Sequence, residues 1–375
     1  MTRSAVIAAF ARSPFQPANR GLFTRTRPDD LLAATLAGLV ERSGVDSTLV
    51  EDLIVGCAFP EAEQGFNIAR LAGFLAGLPQ SVAAMTLNRF CGSSMQSIHI
   101  AAGAVAMNAG DVFLCAGVES MTRVPIPGFN PMPNPGLAAK MPAAYMSMGE
   151  TAENVARKYG IDRKRQETFA IESQSRAAAA RAAGKFADEI IPLDGVTEDG
   201  CIRADTDGAA LAGLEPAFLK GGTVTAGTSS PLTDGAAAVL VTSEDYARER
   251  GFSPLVRIRS VAVAGCAPEI MGMGPVAASR KALERAGLTM ADIDIVEINE
   301  AFASQSLACI DELGIDPAKA NIDGGAIALG HPLGATGARI TGKAASLLVR
   351  EGKSLALATQ CIGGGQGIAT VLEAV

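Results

Sequence analysis

The order of secondary-structure patterns near the start of the chain recurs near its end. A helical spacing of leucines over residues 28–44 precedes a strand-like segment at 53–55. A second helical pattern at 275–287 precedes a strand-like segment at 295–298, about 245 residues further along. That offset is too long for a solenoid repeat, and alternating strands and helices favour mixed sheets covered by helices. The chain is therefore expected to fold as two related α/β halves.

The alternation is interrupted between these halves. After Ser120, prolines crowd between residues 125 and 142 and strand-like patterns stop. Helical patterns follow at 148–158 and 163–183, and strand character returns at 236–243. Because clustered prolines break regular structure, this stretch is expected to be an excursion from the repeated pattern.

Charge and cysteine usage exclude several classes of protein. With a net charge of -7, a broad basic face and a nucleic-acid partner are not expected. No apolar run approaches the roughly 20 residues that span a bilayer, and residues 1–10 lack the layout of a signal peptide. Seven cysteines without a CxxC pair and only two histidines argue against a disulfide framework or a metal site. We therefore expect a cytoplasmic protein without a metal.

Cys91 occupies a turn between a strand-like segment at 83–87 and a small-residue helical segment that begins at Ser93. Backbone N–H groups at a helix start are unpaired and carry partial positive charge, which favours a thiolate over a thiol. This position predicts a nucleophile. The alternative is a small buried core residue, the common fate of a free cysteine.

His331 lies in a glycine-rich turn, residues 324–334, that precedes a helix in the second half. Its place corresponds to that of Cys91 in the first half, and flanking glycines allow close approach of a substrate. His331 is therefore the leading candidate for a general base, against the alternative of a structural turn histidine. His99, on the helix after Cys91, is expected to be structural.

Two further turns carry reactive or polar groups. Cys361 follows a strand and precedes a glycine run whose free N–H groups could line an anion site, so its thiol could move a proton; it could also be a buried thiol. Asn299 closes the strand at 295–298 and could hold a water or an oxyanion. On local grounds alone, a helix cap is the favoured interpretation of Asn299.

Four motifs together resemble those of the thiolase family over nearly the whole chain. They are NRFCGS at 88–93, NEAF at 299–302, GHP at 330–332 and CIGGG at 361–365. The chain looks most like the bacterial degradative branch of that family.

The resemblance implies a fold and its divisions. Two βαβαβαββ halves would form a five-layered αβαβα core, with a loop domain inserted into the first half. Residues 1–118 plus 225–252 would form the N-terminal half, 119–224 the loop domain that binds CoA and acyl groups, and 253–375 the C-terminal half.

The resemblance also implies catalytic roles. Cys91 would be the acylated nucleophile, and His331 would deprotonate it and later activate CoA. Cys361 would protonate the departing acetyl-CoA carbanion. Asn299 would hold a water that forms one oxyanion hole with His331, and the N–H groups of Cys91 and Gly363 would form the other.

CoA is implied as a co-substrate, with no permanently bound cofactor. Ser230 resembles a serine that contacts pantetheine, and Arg203 an arginine near the nucleotide phosphates. The residues matching those that line the CoA tunnel are Met148, Phe218, Ala226 and Phe302. Two departures from the family pattern are Ser147, where biosynthetic relatives have histidine, and Glu215, where relatives often have arginine.

The implied activity is thiolysis of 3-ketoacyl-CoA by CoA to acetyl-CoA and a shortened acyl-CoA, as in β-oxidation. Alternatives are a biosynthetic acetoacetyl-CoA thiolase, a related ketoacyl synthase and a non-catalytic acyl-CoA-binding protein. The resemblance also implies a homodimer or homotetramer, with a hydratase/dehydrogenase subunit as an optional partner. Acyl chain length is left open.

Overall fold

A computed structural model describes residues 3–375. Strands and helices alternate along most of this length. The strands are β1 (Ala5–Arg12), β2 (Gln16–Pro17), β3 (Asp52–Gly56), β4 (Ala83–Leu87), β5 (Val112–Ser120), β6 (Thr233–Ser243), β7 (Val256–Gly265), β8 (Ile295–Ile298), β9 (Leu355–Ile362) and β10 (Gln366–Ala374). The helices are α1 (Pro28–Ser43), α2 (Ile68–Leu75), α3 (Ser93–Ala106), α4 (Pro135–Lys140), α5 (Met148–Tyr159), α6 (Arg163–Ala182), α7 (Gly208–Ala212), α8 (Glu244–Arg250), α9 (Gly274–Ala286), α10 (Ala303–Leu313), α11 (Ala326–Leu329) and α12 (Thr336–Glu351).

The sheet repeats one topology twice. Its strand order is β4-β3-β5-β6-β1-β7-β10-β9-β8, with the short β2 paired to β6 off this path. In the first half β3 pairs in parallel with β4 and β5, and β6 is antiparallel to β5 and β1. In the second half β8 pairs in parallel with β9, and β10 is antiparallel to β9 and β7. The duplication expected from the sequence is confirmed.

The two halves of the sheet meet through a short contact and differ at their outer edges. Only two residue pairs, Val6 with Arg257 and Ile7 with Val256, join β1 to β7. At the position that β4 holds in the first half, the second half has a single parallel bridge between Val296 and Ala320. The second half is therefore a reduced copy of the first.

Helices form layers on and between the two halves of the sheet. Met95 of α3 and Ala338 of α12 belong to one buried cluster that contacts strands of both halves. The two helices cross closely because Gly337 has no side chain: a Cβ there would lie 2.2 Å from the Met95 nitrogen. Separate clusters bury α1 and α2 against the first half of the sheet and α9 and α10 against the second half. This is the expected five-layered αβαβα core.

The stretch between β5 and β6 contains α4 to α7 and long loops. Ser147 caps α5 by accepting a hydrogen bond from the Glu150 N–H, while the Glu150 carboxylate accepts one from the Ser147 N–H, so a capping box fixes this helix start. Helices α5 and α6 both pack on α10. The excursion predicted from its prolines therefore lies against the second half of the molecule.

Strands β1 and β5 both extend along β6. β1 continues to Arg12 because its pairing with β6 continues to that residue. β5 continues to Ser120, so Glu119 is still paired, with Gly235.

Within residues 3–375, none of the helices combines the length and the apolar character needed to cross a bilayer.

Candidate active site

The turn that carries Cys91 is held by side chains on both of its sides. The Asn88 side-chain oxygen accepts a 2.7 Å hydrogen bond from the N–H of Phe90, whose φ is +41°. The Ser93 hydroxyl donates to the Phe90 carbonyl over 2.6 Å. From β9, Gln360 donates its side-chain amide to the Cys91 carbonyl over 2.6 Å. The position of Cys91 is therefore fixed by residues from both halves of the chain.

The Cys91 thiol is buried, with 6% of the residue exposed, and it packs against Leu333 from the His331 loop. The N–H groups of Gly363 and of Cys91 itself lie near the sulfur and favour the thiolate. Burial outweighs them and raises the pKa of the thiol to about 11. The expectation of a thiolate favoured by the helix start is therefore wrong for this structure. Desolvation destabilises the thiolate more than the backbone N–H groups stabilise it.

His331 is oriented by the hydroxyls of two threonines. The backbone N–H of His331 donates to Thr233 Oγ1 over 3.0 Å. Gly330 allows Thr233 to approach this closely, because a Cβ on residue 330 would lie 2.6 Å from the same oxygen. The Nδ1 of His331 lies 2.6 Å from Thr336 Oγ1, whose hydroxyl donates to the Pro332 carbonyl over 3.0 Å. Since that hydroxyl proton is used, Thr336 accepts from Nδ1–H, and this assignment leaves a lone pair on Nε2.

Asn299 meets His331 on the other ring nitrogen. Asn299 Nδ2 lies 3.3 Å from Nε2, and Asn299 Oδ1 is buried without a hydrogen-bond partner in the described residues. Burial, with a smaller contribution from the charge of Arg339, lowers the pKa of His331 to about 3, so its imidazole is neutral. The helix-cap interpretation of Asn299 is wrong, because α10 begins only at Ala303, after Phe302. The Asn299 side chain faces the imidazole instead.

Cys361 is the second-to-last residue of β9 and lies beside the same group of residues. It is fully buried and packs with Met148 and Phe302. Burial, followed by the nearby Cys91 sulfur, raises the pKa of the Cys361 thiol well above its usual range. The structure therefore places two neutral thiols and a neutral imidazole in one buried region.

The residues that the resemblance assigns to the CoA tunnel lie around Cys361 and Gly363. Met148 Sδ would be 3.6 Å from a Cβ on Gly363. The rings of Phe218 and Phe302 meet edge to face with centroids 5.8 Å apart, and Phe218 is 42% exposed. These contacts form a row of apolar side chains from exposed Phe218 through Phe302 to Cys361, which we call the apolar path.

Ser230 and Ala226 belong to the segment beside Phe302. Ser230 donates both its N–H and its hydroxyl to the Ala301 carbonyl, over 3.0 and 3.2 Å. Ala226 is exposed in the turn that precedes it. Both therefore lie next to the apolar path.

Arg203 is not brought into contact with this group. Its side chain is exposed and forms no hydrogen bond or ion pair within residues 3–375, while its N–H donates to Gln174. Glu215 is also exposed. Ser147, the other departure from the family pattern, is used as the cap of α5.

Sequence reasoning missed three residues that contact the reactive groups. Thr336 lies five positions after His331 at the first turn of α12, a spacing that could have identified it. Thr233 and Gln360 reach their partners across 98 and 269 residues of sequence, so no local signal marks them. His99, expected to be structural, is buried with Nε2 2.8 Å from Thr370 Oγ1.

Chemically, the arrangement suits transfer of an acyl group through a thioester. Cys91 packs against Leu333 of the loop that carries the unprotonated imidazole of His331. A neutral thiol can become a nucleophile when its proton moves to such a base, and two N–H groups can stabilise an oxyanion. In the part of the chain that the structure describes, no group of three or more histidine, cysteine, aspartate or glutamate side chains could hold a metal ion.

Comparison with known proteins agrees with this geometry. The family described as "Thiolase, N-terminal domain" matches residues 5–245, and "Thiolase, C-terminal domain" matches residues 252–374. The 3-ketoacyl-CoA thiolase of Bacillus subtilis (strain 168) is 47% identical, and the alignment covers 99% of each chain. The 3-ketoacyl-CoA thiolase of Idiomarina loihiensis is 48% identical with the same coverage.

Solved structures show the same relationship. Human mitochondrial 3-ketoacyl-CoA thiolase superposes with a TM-score of 0.92 at 38% identity, covering 100% of this chain and 99% of that one. The acetyl-CoA acetyltransferase of Bacillus anthracis superposes with a TM-score of 0.91 at 37% identity, with the same coverage. From the fold, the site and these matches along its full length, the chain belongs to the thiolase family.

Proposed function

We propose that the protein is a 3-ketoacyl-CoA thiolase, an acyltransferase that uses CoA to cleave 3-ketoacyl-CoA into acetyl-CoA and a shortened acyl-CoA. The observation that carries the proposal is the buried Cys91 sulfur, which lies near the N–H groups of Gly363 and Cys91 and near the Cys361 thiol. The names of the relatives from Bacillus subtilis and Idiomarina loihiensis support the substrate.

The first half of the reaction breaks a carbon–carbon bond. Nε2 of His331 takes the Cys91 proton as the sulfur attacks the 3-keto carbon, so the buried site never has to hold a free thiolate. The tetrahedral oxyanion collapses to a thioester on Cys91 and expels the enolate of acetyl-CoA. The Cys361 thiol supplies the proton that converts this enolate to acetyl-CoA. The proton that His331 took from Cys91 then passes to the Cys361 thiolate, so His331 is again a neutral base.

The second half returns the enzyme to its starting state. His331 removes the proton from the thiol of CoA, and that sulfur attacks the thioester on Cys91. Collapse releases the shortened acyl-CoA, and the departing Cys91 sulfur takes the proton that His331 received from CoA. Each half passes through an oxyanion, and removal of one donor to such an oxyanion typically costs about 10²–10³ in rate.

Two sets of donors would serve those oxyanions. The N–H groups of Cys91 and Gly363, which lie near the sulfur, would form the first set. The second set would be a water held by Asn299, whose buried Oδ1 has no partner among the described residues, together with His331 once its Nε2 has taken a proton. A buried amide oxygen without a partner is unusual, which supports a role in holding a water or ligand.

CoA binding is assigned to the path from the surface to Gly363. Met148, Phe218, Ala226 and Phe302 would line it, with Ser230 beside the pantetheine. The unpaired guanidinium of Arg203 is available for the nucleotide phosphates. Glu215 is exposed and can turn toward solvent, away from a phosphate. Residues 119–224 would act as the binding domain inserted between 1–118 and 225–252, with 253–375 as the other half.

A homodimer is the proposed assembly. β4 is an edge strand whose second side has no partner among the described residues, and Met85 on it is exposed. Phe66, just before α2, is 94% exposed, and Phe74 on α2 is also exposed. An edge strand beside exposed apolar side chains is a self-pairing surface. A tetramer and an added hydratase/dehydrogenase subunit are further arrangements that sedimentation and co-purification would detect.

All seven cysteines are free thiols, which supports a reducing compartment such as the cytoplasm.

The second candidate function is biosynthetic condensation of two acetyl-CoA molecules to acetoacetyl-CoA. The structural match to an acetyl-CoA acetyltransferase supports it. Ser147 in place of the histidine of biosynthetic relatives argues for the degradative direction.

A substrate panel tests the proposal. Purified protein is given CoA with 3-ketoacyl-CoA substrates of four to sixteen carbons, and acetyl-CoA release is measured beside the condensation rate with acetyl-CoA alone. Thiolysis of substrates longer than four carbons, abolished in Cys91→Ala, is expected. Activity restricted to acetoacetyl-CoA would support the biosynthetic alternative, and no thiolysis at any length would contradict both.

A further inference from the structure

Glu119 is a buried carboxylate at the end of β5, outside the set of residues that carry the proposed chemistry. On one side it accepts hydrogen bonds from the backbone of the loop after β3. Glu119 Oε2 lies 2.8 Å from the Ala58 nitrogen, and Oε1 lies 3.2 Å from the Phe59 nitrogen. This loop belongs to the first half of the chain.

On its other side Glu119 holds the second half of the chain. The N–H of Gly334 donates to Glu119 Oε2 over 2.8 Å, and Gly334 is three residues after His331. The approach is close because Gly334 lacks a side chain: a Cβ there would lie 2.5 Å from the Val118 carbonyl oxygen and 2.8 Å from Glu119 Oε2. One carboxylate thus binds backbone from both halves.

Four N–H donors and the Cys57 thiol, whose Sγ lies 3.8 Å from Oε1, surround this carboxylate. Burial raises the pKa of Glu119, and the N–H donors lower it and favour the anion. Its fourth hydrogen bond comes from Gln64 Nε2 over 2.9 Å. The orientation of that amide is fixed, since Gln64 Oε1 accepts from the Ser120 N–H over 2.6 Å. A protonated carboxyl would need an acceptor for its hydrogen, and among these partners only the weakly accepting Cys57 sulfur could supply one.

The contacts continue from Glu119 to Cys91. The Ala58 carbonyl accepts from Asn88 Nδ2 over 2.8 Å, and Asn88 in turn accepts from the Phe90 N–H. Ala58 also packs in the cluster that contains Cys91 and Leu333. The Cys91 turn and the His331 loop are therefore connected through one side chain.

We propose that Glu119 is a positioning residue that sets the Cys91 turn and the His331 loop in register through its hydrogen bonds to Ala58, Phe59 and Gly334. The inference rests on the proposed function, because the register matters only if Cys91 and His331 act on one substrate. Misplacement of reacting groups by about 1 Å can cost on the order of 10² in rate.

The charge of Glu119 gives a second, independent readout. Its carboxylate contributes to the raised pKa of the Cys91 thiol, after burial. Replacing it by a neutral amide removes that contribution, so the thiol should ionise more easily. Loss of register slows turnover, whereas loss of charge speeds simple alkylation, and the two effects have opposite signs.

The test compares Glu119→Gln with wild type and with Asp294→Asn. In Glu119→Gln one acceptor oxygen becomes an NH₂ group, which cannot accept a hydrogen bond. The amide therefore cannot keep all of the hydrogen bonds from Ala58, Phe59 and Gly334. Asp294 is the control, because its carboxylate also accepts from two backbone N–H groups, those of Ser354 and Leu355, at the end of β8 away from Asn299. Turnover with 3-ketoacyl-CoA and alkylation of Cys91 by iodoacetamide at pH 8 are measured for each folded variant.

For Glu119→Gln, kcat is expected to fall about a hundredfold with KM changed less than about threefold, while Cys91 alkylates at least as fast as in wild type. Asp294→Asn should keep wild-type kcat. A Glu119→Gln kcat within about threefold of wild type, slower alkylation of Cys91, or an equal loss in Asp294→Asn would overturn the inference.

If Glu119→Gln fails to fold, Glu119→Asp decides. It keeps the charge but is one methylene shorter, so it cannot reach both Ala58 and Gly334, and kcat should fall at least tenfold. Wild-type kcat in Glu119→Asp would overturn the inference. Absence of thiolysis in the wild-type protein would instead contradict the proposed function, so the two failures are distinguishable.

Discussion

Asn299 Nδ2 lies 3.3 Å from Nε2 of His331 and donates toward its lone pair. On the opposite side of the ring, Nδ1–H is held by Thr336 over 2.6 Å. The two contacts select one tautomer of a buried, neutral imidazole, the form that can accept a proton at Nε2. The asparagine comes from the end of β8 and the threonine from the start of α12, so the tautomer depends on how these elements pack.

Thr336→Val is expected to lower kcat about tenfold to a hundredfold. Valine keeps the shape but leaves Nδ1–H without an acceptor, and an unsatisfied buried donor costs about 1–3 kcal/mol, so the ring turns or changes tautomer. The measurement is kcat and KM for thiolysis of a 3-ketoacyl-CoA.

Thr341→Val is the matched control for that substitution. Thr341 is buried on the same helix and donates to the Gly337 carbonyl over 2.7 Å, in the way Thr336 donates to Pro332, but it does not contact His331. Equal kcat values for the two variants would mean that Thr336 supports the helix rather than the imidazole.

Alkylation of Cys91 in the free enzyme should accelerate with pH up to about pH 11. Burial raises the pKa of this thiol to about 11, so its thiolate fraction grows tenfold for each pH unit below that value. The rate of iodoacetamide labelling at Cys91, followed by peptide mass spectrometry between pH 7 and 9, should rise about a hundredfold. A rate that is already level by pH 8 would show a thiolate stabilised in the free enzyme.

Arg339→Met is expected to destabilise the protein by about 3–5 kcal/mol at pH 9. Arg339 and Glu297 form a fully buried ion pair over 3.0 Å. Burial raises the pKa of Glu297 to about 7 although Arg339 lowers it, so loss of Arg339 raises this pKa further. The free energy of unfolding is measured by urea denaturation.

The pH dependence of that loss has a defined sign. A carboxyl with a raised pKa binds more protons folded than unfolded, so stability falls as pH rises through its folded pKa. The gap between Arg339→Met and wild type should therefore be smaller at pH 6 than at pH 9. Adding Glu297→Gln removes the titrating group, and a gap that still widens with pH in the double variant would assign the effect to another residue.

Local patterns in the sequence predict the repeated topology and the turns that carry Cys91 and His331, since both depend on hydrophobic periodicity and glycines close in the chain. Local patterns give wrong predictions where burial in the folded protein determines the state of a residue. The interpretation of Asn299 as a cap and the expectation of a thiolate at Cys91 both use correct local rules. Tertiary packing overrides them, because the helix starts later and the thiol is desolvated.

The supports of the site are the least predictable part. Gln360 bonds the Cys91 carbonyl from 269 residues away, and Glu119 bonds Gly334 from 215 residues away. Such contacts exist only once the two halves of the sheet are assembled, and no spacing in the sequence encodes them. Thr336 is the exception, because it lies one helical turn after Pro332.

Cys91 is expected to carry the acyl group between the two substrates. Protein mixed with acetoacetyl-CoA in the absence of free CoA, quenched in acid and digested, should show one acetyl group of 42 Da on the peptide that contains Cys91 (roughly the mass of an added ketene unit). The adduct should disappear when CoA is added and be absent in Cys91→Ala. An acetyl group on any other residue, or full turnover in Cys91→Ala, would contradict the account.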